Sequence, residues 1–368
     1  MQQQTYAGLM SGTSLDAVDV VVADFAAEQP QLIVTHAHSF PEPLRQRLTR
    51  LIQSPAGVHL DELGTLHREL GGLYSEALLT CLRNGGLQPT DIAAAGCHGQ
   101  TVRHSPGATP PFSLQLGCGA TTAALSGVAI VNDFRSGDMA LGGQGAPLVT
   151  AFHQAAFTAD VPRVIVNIGG IANLTVLQPG QAVRAWDTGP GNTLLDAHSQ
   201  AERGSEFDAG GAWAATGAVD EEFLAALLTD PYFSREAPKS TGREHFNRPW
   251  LDTHLAAAGA PPSGADLQAT LAELTARTLA AGVRSAVRQA EVYICGGGAA
   301  NADLCSRLAR CLPDCQLGTT VELGIPPDWV EATAFAWLAR ARLTRVAGNV
   351  ASATGAERPA LLGAVHRS

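Results

Sequence analysis

Residues 6–19 read Tyr6-Ala7-Gly8-Leu9-Met10-Ser11-Gly12-Thr13-Ser14-Leu15-Asp16-Ala17-Val18-Asp19. An apolar, β-rich run breaks at a turn of glycine and hydroxyl residues and then resumes, so the stretch predicts two strands joined as a hairpin. Glycines allow close approach to the backbone, and successive main-chain N–H groups with three hydroxyls suit the oxygens of a phosphate. Asp16 or Asp19 can hold a hydrated Mg²⁺ there. Far along the chain, Asn167-Ile168-Gly169-Gly170-Ile171-Ala172-Asn173 is again a tight turn of small residues between two β-rich runs. Two hairpins in corresponding places predict a clamp for a polyphosphate. Residues 12–19 form one jaw, and Gly169, Gly170 and Asn173 the other.

Outward from these hairpins the chain reads as two series in the same order. The first has β-rich runs at 6–10, 18–25 and 32–38, helical stretches between 43 and 83, a strand at 92–97, a helix near 120–125, a strand at 128–133 and a helix at 147–157. The second has strands at 164–168, 172–177 and 183–186, helical stretches from 192, a strand at 292–295, a helix at 301–312, a strand at 315–321 and a helix at 329–343. Each half is βββαβαβα, a duplication of architecture rather than of sequence. The expected division is an N-terminal lobe over 1–145, a C-terminal lobe over 146–344 and a segment over 345–368 that returns to the first lobe. Residues 192–289, with clear helices at 221–228 and 267–287, read as an insertion on the second lobe, and 256–264 as an exposed linker between helices.

Composition agrees with a two-lobed α/β chain. At 368 residues the length corresponds to about two and a half domains. A hydrophobic share of 45% supplies a sizeable core, which excludes a disordered or collagen-like chain. With 34 acidic against 24 basic residues the net charge is −10, which opposes non-specific binding to nucleic acid or an anionic membrane. No run approaches the roughly 18 apolar residues of a membrane helix, and residues 1–10 lack a basic, then apolar, leader. These features predict a cytoplasmic protein. The 7 cysteines are odd in number and contain no CxxC pair, so they read as reduced core thiols rather than disulfides or a zinc site.

Absences narrow the chemistry. A P-loop and a protein kinase each need a lysine in a defined place, and the chain's single lysine, Lys239, follows Pro238. There is no HExxH, and Gly296, Gly298 and Asn301 fall short of GxGxxG. What remains is a set of turns at strand ends. Gly296-Gly297-Gly298-Ala299-Ala300-Asn301 joins a strand to a helix and lets backbone lie against a flat group such as adenosine. Asp187-Thr188-Gly189-Pro190-Gly191-Asn192 puts a carboxylate at a strand end before a helix: an Asx-turn by one reading, a general base by the other. The segments 98–104 and 132–135 gather hydrogen-bonding side chains suited to a polar sugar, or else to solvent.

Together the segments 8–19, 96–104, 132–148, 187–192, 238–247, 295–301 and 324–339 closely resemble the anhydro-N-acetylmuramic acid kinase family, over nearly the whole chain. MSGTSLDAVD, WDTGPGN and PKSTGRE carry most of the specificity. Trp186 departs from the family pattern, where Phe is expected. The resemblance implies two duplicated ribonuclease-H-like lobes, as in actin, hexokinase and heat-shock ATPases, with a cleft between them. It implies ATP, Mg²⁺ and an anhydro sugar as ligands, with N-acetylmuramic acid 6-phosphate and ADP as products, and it suggests a homodimer. By the same resemblance Thr101, Arg135 and Glu331 contact the sugar; the place of Asp187 beside the paired turns makes it the expected base, with Asp16 and Asp187 reaching the metal through water. Two other activities fit the turns: direct phosphorylation of another amino sugar, and an actin-like nucleotide switch without sugar chemistry.

Overall fold

The structure is a computed structural model describing residues 4–12, 15–27, 29–53 and 57–367. The chain forms two units: unit 1 holds residues up to Ala156 and again from Trp329 onward, and unit 2 holds Phe157–Asp328. Unit 1 contains β1 (Thr5–Ser11), β2 (Ala17–Asp24), β3 (Gln31–Ser39), β4 (Ala95–Cys97), β5 (Gln100–Ser105), β6 (Phe112–Leu116) and β7 (Ile130–Asn132). Unit 2 contains β8 (Arg163–Ile168), β9 (Ile171–Leu177), β10 (Arg184–Pro190), β11 (Glu291–Cys295) and β12 (Gln316–Thr319). A last strand, β13 (Ala364–His366), belongs to unit 1.

The sheets confirm the duplication. Unit 1 is ordered β13-β7-β4-β1-β2-β3 and unit 2 β10-β9-β8-β11-β12. In both, the first three strands form an antiparallel meander, and two later strands add in parallel beside the first. A parallel strand needs a crossover, which is why long helical stretches precede β4 and β11. Unit 1 adds β13 antiparallel to β7, and its sheet face packs Leu9, Val20 and Val22 against Leu66, Tyr74 and Leu78 of the helix Leu60–Asn84. In unit 2, Val164, Val166 and Leu174 pack against Leu279 and Val283 of the helix Gly264–Ala286 and Leu304 and Leu308 of the helix Ala302–Cys311. The insertion has a small core of its own around Leu195, Phe223, Leu251 and Leu271.

Two sequence expectations change. The helix Val330–Thr344, expected in the C-terminal lobe, belongs to unit 1, as does the helix Val149–Phe157 through Ala156. The reason lies in two glycines. Gly8 and Gly96 are paired neighbours on β1 and β4, and a Cβ on them would fall 1.9 Å from Ala332 O and 2.0 Å from Phe335 O. Their bare backbone is what admits the helix to the sheet. Second, residues 98–104, where hydrogen-bonding groups were expected at strand ends but no strand, mostly form β5, paired with β6 in a separate hairpin. Of the cysteines, all free, Cys81, Cys97 and Cys295 are buried and the other four only partly so. Among the described residues no helix is long and apolar enough to cross a membrane.

Candidate active site

In unit 2 the predicted residues converge at one end of the sheet. The β8–β9 turn is Gly169-Gly170, and its two carbonyls accept from Gly191 N, Asn192 N and Thr193 N at 2.8–3.1 Å. The Gly-Pro-Gly turn is thereby seated on the β8–β9 turn, and a Cβ at Gly191 would lie 2.3 Å from Gly169 O. Gly298 presses on Ile168 in the same way, and Gly296 on Asn167 with a φ of +77° that favours glycine. Gly297 alone of the three faces open space, with nothing nearer a Cβ than Asn192 at 4.0 Å, so it is the point where a flat group could lie on this turn. Asn301 is the N-cap of the helix Ala302–Cys311, accepting from Leu304 N at 2.9 Å, so its side-chain oxygen serves the fold.

Asp187 lies on β10, directly opposite Asn173 on β9, which is itself opposite Asn167 on β8. Directly opposed residues share a sheet face, so the three form one polar row beside the glycine turns. Asn173 Oδ1 is buried without a protein partner. As an acceptor it suits a donor such as a metal-bound water or a hydroxyl. Asp187 is held by a segment that sequence reasoning did not connect to it: Thr241 N donates to its Oδ2 at 3.0 Å, Tyr232 OH donates to its main-chain O at 2.7 Å, and its own N donates to Lys239 O at 3.1 Å. Burial first, and the Asp187 charge second, push the Tyr232 phenol upward, so it stays a donor. The PKSTGRE motif was the available signal.

In unit 1 the first turn is described only in part, since Thr13 and Ser14 lie outside the described residues. Gly12 O accepts from Gln100 Nε2 at 3.3 Å, and Leu15 turns back at φ +61°. Leu15 and Val18 point into the core, so any ligand contact from them is through backbone. Asp16 is exposed at the turn, while Ala17 and Asp19 are half-buried in β2.

The three residues expected at the sugar all belong to unit 1, because the helix carrying Glu331 in its first turn does. Thr101 Oγ1 accepts from Gln115 Nε2 at 3.1 Å across the β5–β6 hairpin. Arg135 is gripped on two sides: Nη1 donates to Gly145 O at 2.6 Å, and Nε and Nη2 donate to His98 Nε2 at 3.3 and 2.9 Å. Burial, then Arg135 itself, hold His98 well below the ordinary imidazole range, and the same causes take His104 down to about 4. Both rings are therefore neutral near pH 7, and the His98 nitrogen can accept. Sequence reasoning missed Asp138, which is fully buried beneath this grip. It accepts from Gly145 N at 2.8 Å, Asn349 Nδ2 at 2.6 Å and Thr354 Oγ1 at 2.7 Å, fixing the loop that supplies the Gly145 carbonyl.

Comparison with known proteins agrees with the resemblance. The family model described as anhydro-N-acetylmuramic acid kinase matches residues 4–368. The anhydro-N-acetylmuramic acid kinase of Saccharophagus degradans is 48% identical over 100% of both chains, and that of Shewanella amazonensis is 48% identical over 99% of both. A solved structure, the activator of 2-hydroxyisocaproyl-CoA dehydratase from Clostridium difficile with bound ADPNP, is similar at a TM-score of 0.45 and 14% identity over 93% of this chain and 97% of that one, too distant to bear on function. On the match of the whole chain to the family model, and on near-half identity to full-length relatives, the chain belongs to the anhydro-N-acetylmuramic acid kinase family.

Proposed function

We propose that the protein uses ATP and water to open anhydro-N-acetylmuramic acid and phosphorylate its O6, giving N-acetylmuramic acid 6-phosphate and ADP for recycling of cell-wall sugar. The observation that carries this reading is the Asp187 carboxylate, held by Thr241 N beside the glycine turns of unit 2. Asp187 takes a proton from water, whose oxygen bonds to the anomeric carbon as the C1–O6 bond breaks. The released O6 takes the γ-phosphoryl group, and the β–γ bridging oxygen leaves with ADP. The turns at 169–170 and 12–19 hold the phosphates, and Gly296, Gly297 and Gly298 the adenosine.

Arg135 pairs with the lactyl carboxylate through charge-assisted hydrogen bonds, oriented beforehand by His98 and Gly145. Thr101 and Glu331 take sugar hydroxyls or bound water. Within unit 2, Asp187 is a hard donor and Asn173 Oδ1 an acceptor suited to a coordinated water, a set that suits Mg²⁺, which keeps several waters and needs only one or two carboxylates; Asp16 of unit 1 is proposed as a second carboxylate acting through water. Bound there, the ion would neutralise polyphosphate charge. We place the enzyme in the cytoplasm and, on the family resemblance alone, as a homodimer.

The test is ADP release with and without the anhydro sugar. Asp187→Asn is expected to lower kcat by about 10²- to 10⁴-fold with ATP binding intact. Near-normal turnover would remove Asp187 from the chemistry. Product formed in ¹⁸O water should carry one heavy oxygen at C1, and its absence would point to direct phosphorylation of a hydroxyl.

A further inference from the structure

Lys239 is the single lysine among 24 basic residues, and a lone ammonium is ordinarily matched by a carboxylate or an anionic ligand. The structure gives it main-chain partners instead. Its Nζ donates to Tyr232 O at 3.0 Å and Phe233 O at 3.3 Å, near the C-terminus of the short helix Pro231–Ser234, and lies 4.7 Å from the centre of the Tyr232 ring. A cation is favoured at helix carbonyls and over an aromatic face, and a compact ammonium can serve both at once where a planar guanidinium is wider.

β10 is an edge strand, and its pairing with β9 shifts register between Asp187 and Gly189. Main-chain support for Asp187 on the open side must come from elsewhere, and residues 232–241 supply it through the Tyr232, Lys239 and Thr241 contacts. Tyr232 serves twice, as the ring beneath Lys239 and as the donor to Asp187 O. Nothing here requires Lys239 to touch substrate.

We propose that Lys239 is a positioning residue for Asp187: by clamping the Tyr232 and Phe233 carbonyls it fixes residues 238–241, and through Thr241 N it sets the carboxylate. The inference rests on the reading of Asp187 as the base. In the full-length chain, Lys239→Met is expected to lower kcat by about 10- to 100-fold, the scale of a small misplacement of a reacting group, with KM for ATP and sugar within about twofold. Lys239→Arg, which keeps charge and donors, should lose less, about threefold to tenfold in kcat, and it carries the test if the methionine variant does not fold.

The decisive readout is a double-mutant cycle. In an Asp187→Asn background, either Lys239 substitution should cost less than about twofold, because no base remains to misplace. A purely structural role would lower the residual rate by the same factor in both backgrounds and would overturn the inference. So would an unchanged kcat in the folded single variant, or a loss confined to KM. A large loss in Asp187→Asn beside a normal Lys239 variant defeats the inference alone. An unchanged kcat in Asp187→Asn defeats the base reading and the inference with it.

Discussion

The two sheets share one strand order and differ in what lies on them. Counting back from the last paired residue of the first hairpin in each, Gly8 on β1 corresponds to Ile165 on β8, and their parallel neighbours are Gly96 and Tyr293. In unit 1 that glycine pair leaves a strip of bare backbone, and the helix Val330–Thr344 fills it. In unit 2 the same strip carries a fully buried Ile165 and the nearly buried ring of Tyr293. Topology therefore sets where a face is, and side-chain volume decides whether backbone or side chain may occupy it.

The largest test of that comparison is to give unit 1 the Cβ it lacks. Gly8→Ala or Gly96→Ala pushes a methyl into a carbonyl oxygen of the helix, and because a backbone atom cannot rotate aside, we expect a loss above about 4 kcal/mol or no folded protein. Ile165→Ala at the equivalent place only removes volume and should cost about 2–4 kcal/mol. Equal costs in denaturant unfolding would show that the glycine pair does not seat the helix.

A smaller effect separates the units by pH. Burial takes His153 down to about 3, and His104 goes to about 4, both from an ordinary 6.5 and both in unit 1. As pH falls below about 6.5 the unfolded chain takes these protons first, so stability present above 6.5 is lost down to about 4 and then 3. The His153 share is on the order of 5 kcal/mol, and His153→Gln should flatten that part of a pH series of denaturation midpoints. A slope unchanged by the substitution would contradict the assignment.

The smallest effect contrasts thiols within unit 1. Burial pushes Cys81 and Cys97 up to about 12. At Cys118, burial acts the same way but is outweighed by hydrogen bonds from the Thr121 side chain and the Thr121 and Ala120 amides at the start of the helix Gly119–Ser126, so this thiol is lowered. Mild alkylation of the native protein should label Cys118 well before Cys81 or Cys97, read by mass. Simultaneous labelling would mean that unit 1 opens readily.

These contrasts also show what a single sequence conveys. The meander strands of both sheets were legible because their apolar runs are β-rich and bounded by glycine turns. The hairpin of β5 and β6 was not, since Gln100-Thr101-Val102-Arg103-His104-Ser105 is almost wholly polar. The helix at 330–344 was legible as a helix, but its unit was not, for that is decided by Gly8 and Gly96, hundreds of residues away. In the candidate site the turns and Asp187 announced themselves locally. The grip on Arg135, the Asp138 anchor and the carbonyls that hold Lys239 all join segments distant in sequence or hidden in a loop, and no local pattern encodes them.

The single lysine also makes one loop of unit 2 individually addressable. A protease that cuts only after lysine finds one susceptible bond in 368 residues, that between Lys239 and Ser240. In the native fold the ammonium it must recognise is held by two carbonyls and a ring, so cleavage waits for the segment beside Asp187 to open. When opening and closing are fast relative to cleavage, the rate of that one cut reports the population of the open loop, a local clock that requires no label.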